Sequence, residues 1–108
     1  MAFTVLFIAH SPDADKEKHR SVIDTGMYQF HSVVVKDQSE AVEIAIEYTA
    51  DHPIDSILLC PGFTHLDVAE ISKSVGENIA VGICRSDGPG YRISMNARKR
   101  VGYPNKSK

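Results

Sequence analysis

The chain has 108 residues, 43% of them hydrophobic, and its 12 Lys and Arg against 14 Asp and Glu give a formal net charge of −2. That balance excludes general electrostatic attraction to nucleic acid or to an anionic membrane, and no apolar stretch approaches the length of a bilayer span. A chain of this size makes one domain, expected over residues 1–101 with a frayed polar tail at 102–108, and it can bury a core without disulfides or a structural metal.

Met1-Ala2-Phe3-Thr4-Val5 leads straight into an apolar run, without the basic segment and cleavage site of a secretory leader. A cytoplasmic location is therefore expected. Two cysteines, Cys60 and Cys84, make no disulfide framework and are expected as free thiols.

Thr4–Ala9 reads as a strand covered on both faces, because it is continuously apolar after its first residue. Ser11 and Pro12 have the order of an N-cap and first helical position, so a polar helix is expected over Asp13–Ile23, ended by Thr25-Gly26. Tyr28–Val35 begins with the apolar–polar alternation of a half-exposed strand. Asp37-Gln38-Ser39-Glu40 has capping-box spacing, and Val42, Ala45, Ile46 and Thr49 carry a helix to about Ala50. His52-Pro53 stops it. Ile54–Leu59 is a second mostly apolar strand. Thr64-His65-Leu66-Asp67 repeats the capping logic ahead of a helix whose buried stripe is Val68, Ile71 and Val75, ended by Gly76. Ile79–Ile83 is a short strand. A last helix follows Gly88-Pro89-Gly90, with Ile93, Ala97 and Val101 four apart, Tyr91 and Met95 a second pair, and Arg98, Lys99 and Arg100 mostly outward.

The order βαβαβαβα implies an α/β fold: a flavodoxin-like, Rossmann-like three-layer sandwich of four parallel strands in the order 2-1-3-4. The two most apolar strands, the first and third, should be central, and the second and fourth should be edges. Each strand ends at reactive residues, and open α/β sheets bind ligands outside the carboxyl ends of their strands. Chain direction reverses between strands one and three, so His10–Asp13 and Cys60–His65 are the expected walls of a crevice.

Cys60 ends a central strand and precedes a helix start, which would favour a thiolate. With His10 or His65 beside it, it is the candidate catalytic group. The same position suits an inert, half-buried small hydrophobe. His10, Cys60, His65 and Cys84 have the donor types of a zinc site, but their spacing matches no zinc motif, so no metal or cofactor is expected. Arg85, Ser86, Asp87 and Gly88 combine a fixed cation with N–H groups at a helix start, the parts of an anion site. The same segment also reads as a plain turn in which Asp87 caps the final helix. Ser11, Asp13, Gly62, Phe63 and Thr64 complete the candidate ligand-binding set. No P-loop or dinucleotide glycine pattern is present.

Phe7–Asp15, Glu17–Ser21, Ile57–His65 and Arg85–Pro89 together resemble a family of small prokaryotic proteins of unknown function. That resemblance implies an α/β domain and brings no activity. Ile57–Ile71 is also similar to the stretch around a catalytic cysteine in aspartate/glutamate and hydantoin racemases. The likeness implies a proton-transfer role for Cys60 in one flavodoxin-like half domain. Those enzymes combine two half domains with a cysteine from each, and this chain is a single half whose turn at Cys60 differs from theirs.

The expected function is binding of a small anionic metabolite at the strand-end crevice. The alternative is a Cys-dependent racemase-, isomerase- or hydrolase-like enzyme using Cys60 with a histidine. Short edge strands and the apolar content also leave room for a homodimer.

Overall fold

The computed structural model describes residues 1–85 and 88–103. Five strands and three helices follow in the order β1 (Phe3–His10), β2 (Arg20–Asp24), β3 (Tyr28–Val35), α1 (Gln38–Asp51), β4 (Ser56–Leu59), α2 (His65–Val75), β5 (Ala80–Ile83) and α3 (Pro89–Val101). They make one mixed sheet in the order β2-β3-β1-β4-β5. β1 pairs in parallel with β3 on one side and β4 on the other, and β4 pairs in parallel with β5. β2 runs antiparallel to β3 at the edge.

This corrects the expectation of four all-parallel strands. The helix expected over Asp13–Ile23 does not form: residues 11–19 are turns, and Arg20–Asp24 is a strand. The physical reason lies in the segment itself. Lys16–Arg20 offers no apolar stripe to bury, whereas Val22 and Ile23 are β-branched and favour extended backbone. Gly26, at φ +101°, turns the chain into β3, and the Asp24 carboxylate accepts from its N–H at 2.8 Å. The chain therefore leaves the top of β1, passes over the site of β3, descends as β2 and returns as β3 between the two. β3 is not an edge, and the outer layer expected from the first helix is missing.

Only one face of the sheet is well covered. Leu6 and Ile8 of β1, Val33 and Val35 of β3, and Ile57 and Leu59 of β4 alternate onto it and are fully buried. Ala41, Ile44, Ala45 and Tyr48 of α1 and Ile71 of α2 close the core from above. α1 starts at Asp37, whose carboxylate accepts from the Glu40 N–H at 3.0 Å, while Glu40 reaches back to the Lys36 N–H at 3.0 Å. Arg20 ties the edge strand to α1, donating to the Tyr48 hydroxyl at 3.1 Å and pairing with Glu47 at 3.7 Å. Nearby, His31 lies under Tyr48 and His52 and is 8% exposed. Burial first, then the neighbouring His52, holds its imidazole below the ordinary histidine range, against a smaller opposing pull from Asp24.

The opposite face is aromatic and largely open. Phe3 lies tilted against Tyr28 and Phe7 stacks near Phe30, with ring centroids 5.7 and 6.1 Å apart. Phe3 is 52% exposed and Ile23 61%. Among the described residues, the positions that alternate onto this face carry no charged side chain: Phe3 to Ala9, Ser21 and Ile23, Tyr28 to Val34, Ser56 and Leu58, Ala80 and Gly82. α3 buries no residue completely. No helix among the described residues is long and apolar enough to cross a membrane.

Candidate functional site

Three parallel strands end side by side and build one wall of a cleft. The Cys60 N–H donates to the Ile8 carbonyl at 3.1 Å, and the Cys84 N–H donates to the Leu59 carbonyl at 2.8 Å. Those bonds carry the ladder one residue beyond the strands and set Ala9, Cys60 and Cys84 in a row. His10, Pro61 and Gly62 extend this wall. The facing wall is α3 and the residues after it, with Tyr91, Ser94, Met95, Ala97, Arg98 and Tyr103. The space between measures about 510 Å³, within the range of small-molecule sites. A smaller hollow of about 220 Å³ shares His10, Arg98 and Tyr103 with it and reaches Pro12, Lys36, Asp37 and Gln38.

Gly62 is where the backbone must come close. A Cβ there would lie 2.6 Å from Cε1 of His10. The missing side chain lets the imidazole lie against Phe63, with ring centroids 4.6 Å apart. Phe63 is 4% exposed and joins the core, so it anchors His10 rather than lining the cleft. Arg98 is held along α3: its Nη1 lies 3.9 Å from the Met95 sulfur, and its guanidinium sits 5.3 Å from the centre of the Tyr103 ring. Gly102, left-handed at φ +90°, ends the helix, and the Tyr103 N–H donates to the Arg98 carbonyl at 3.0 Å. That turn brings Tyr103 back beside Arg98.

Of the residues singled out in the sequence, His10, Cys60 and Gly62 line the cleft, joined by Cys84. His65 is exposed on the first turn of α2 and is not among the lining residues. Thr64 is occupied by its own helix: its hydroxyl accepts from the Asp67 N–H at 3.1 Å, and the Asp67 carboxylate accepts from the Thr64 N–H at 2.9 Å. Ser11 donates its hydroxyl to Asp13 in an exposed turn. That bond, with a backbone hydrogen bond, holds the Asp13 carboxyl below the usual carboxylate range. Arg85 is exposed and outside the cleft wall. Gly88 is the N-cap of α3 with φ +63°, and among the described residues no side-chain hydrogen bond caps that helix. Ser86 and Asp87 lie outside the described residues. Among the described residues, no three of His, Cys, Asp and Glu are grouped to hold a metal ion.

Sequence reasoning missed the α3 wall. Arg98, expected to point outward, is half-buried in the cleft, and Tyr103 falls in the segment expected to fray. Tyr91, Met95 and Arg98, spaced four and three apart on one helix face, were the available signal. Tyr103 had none.

The chain belongs to a family of unknown function, DUF6506, whose model matches residues 3–93. The match spans all five strands and ends within α3. No curated protein and no solved structure matches. The likeness to racemases around Cys60 is not among the similarities found.

Proposed function

We propose that this family member is a cytoplasmic small-molecule-binding domain that takes a small anionic metabolite with an apolar body in the cleft under α3. The single observation that carries this reading is the cleft itself. It is concave, and among the described residues apolar walls from Ala9, Pro61, Met95 and Tyr91 surround one fixed cation, Arg98. Binding sites combine these features: an apolar lining for affinity and few polar groups for orientation. Arg98 replaces Arg85 as the anion-holding residue, and its planar fork suits a carboxylate or phosphate.

Thermal-shift measurements with a panel of small carboxylates and phosphates test the reading on the wild type and on Arg98→Ala. Wild type is expected to gain stability with at least one compound. Arg98→Ala should bind it roughly 10- to 100-fold more weakly, as expected for losing about 1.5–3 kcal/mol of charge-assisted hydrogen bonding. Equal shifts in the two proteins would remove Arg98 from the site, and no shift with any compound would remove the proposal.

A second observation, the uncovered aromatic face, favours a homodimer as the partner arrangement. A face without charge can meet its own copy across a two-fold axis with no like-charge repulsion, although each chain carries a net −2. Phe30, at its centre, stacks with both Phe7 and Tyr28. Light scattering across a concentration series is expected to give twice the chain mass for the wild type and one chain mass for Phe30→Lys. A wild-type monomer at every concentration would eliminate the dimer.

A further inference from the structure

We propose that Cys60 and Cys84 are a redox-active dithiol that exchanges with small disulfide compounds entering the cleft. These are the only cysteines in the chain, both are free thiols, and both line the same space. Their placement follows from strand register. Leu59 partners Ile83, and the Cys84 N–H bonded to the Leu59 carbonyl makes Cys60 and Cys84 the next partners in the ladder. Strand alternation puts both side chains on the face opposite Leu59 and Ile83, beside Ala9. Neighbouring strands lie about 4.8 Å apart, inside the separation of about 4.4–6.8 Å between α-carbons that a disulfide spans. Bridging therefore needs side-chain rotation and no separation of β4 from β5. Ala9, next to Cys60 across the β1–β4 ladder, lines the same space.

The exchange balances in two displacements. One cysteine, as its thiolate, attacks a sulfur of the disulfide R–S–S–R, forms a mixed disulfide with the protein and releases R–S⁻, which takes up a proton. The second cysteine then attacks the protein-bound sulfur, forms the Cys60–Cys84 bond and releases the second R–S⁻, protonated in turn. Two protein thiols are oxidised, the disulfide compound is reduced to two thiols, and no further oxidant enters. Both steps reverse when R–SH is in excess. The bridge lies in the cleft wall, so oxidation removes two sulfhydryl groups from the surface that meets a ligand.

The test uses the full chain with hydroxyethyl disulfide, followed by iodoacetamide and intact-mass measurement. The wild type is expected to lose two hydrogens, to retain no reagent and to accept no carboxamidomethyl groups. It should also remain a single chain on a non-reducing gel. Cys84→Ser and Cys60→Ser should each stop at a stable mixed disulfide on the remaining cysteine. Circular dichroism checks that these near-isosteric variants stay folded. Two retained reagent groups on the wild type, two carboxamidomethyl labels, or a covalently linked pair of chains would each overturn the proposal. Exchange that proceeds while anion binding fails would separate this site from the ligand reading, because the two rest on different residues.

Discussion

Replacing Ile57 by Ala is expected to cost about 2–5 kcal/mol of folding stability, the range for truncating a fully buried aliphatic side chain. Ile57 is 0% exposed and sits on a central strand, with Leu6 beside it on β1 and Val81 on β5. The loss is large for this protein because its core is one-sided. α1 and α2 cover one face of the sheet, and among the described residues that alternate onto the other face only Val5 is buried, so little there absorbs the lost contacts. Domains of this kind are stable by roughly 5–15 kcal/mol in total. With a urea dependence of about 1–3 kcal/mol per molar, the midpoint should fall by roughly 1 M or more. The control is Leu66→Ala on the first turn of α2. Leu66 is 83% exposed, and its truncation should change stability by no more than about 0.5 kcal/mol. Equal midpoints for wild type and Ile57→Ala would refute the one-sided core.

The second large effect is expected at the cleft. Gly62→Ala places a methyl group 2.6 Å from Cε1 of His10 and forces the imidazole off Phe63. Overpacking of this kind costs about 1–3 kcal/mol. The cause is space rather than backbone conformation, since Gly62 is not among the residues of positive φ. That distinction is measurable. His10→Ala removes the obstructing ring, so the double variant should recover much of the loss, with a coupling of about 0.5–3 kcal/mol between the two sites. Strict additivity in urea denaturation would show that His10 and Gly62 do not share the space described for them.

The strands that carry the cleft were legible because their apolar runs stop abruptly at Cys60, Cys84 and His10. Both helix starts that rest on side-chain caps, at Asp37 and Thr64, were legible for the same local reason. β2 was not. Ser11-Pro12 has the form of a helix start, and the charged run after it hides the hairpin signal at Thr25-Gly26-Met27. An edge strand that is exposed at four of its five residues leaves little hydrophobic alternation to read. The α3 wall was illegible for a different reason. Helical spacing groups Tyr91, Met95 and Arg98, but which part of the sheet that face meets is decided by tertiary placement. Arg85 is the cation nearest the strand end in sequence, while among the described residues the arginine that lines the cleft is Arg98.

The insertion of β3 between β1 and its own hairpin partner bears on how the molecule folds. The β2–β3 pairing joins residues as close as Asp24 and Gln29, whereas β1 must find Tyr28 with Phe3 and Ser56 with Val5. Local closure is fast, on the order of 1–10 μs for a hairpin, and distant pairing is slow. The hairpin is thus expected to assemble early and dock as a preformed ribbon. The joining of that ribbon and β4 to the two sides of β1 is the expected slow step.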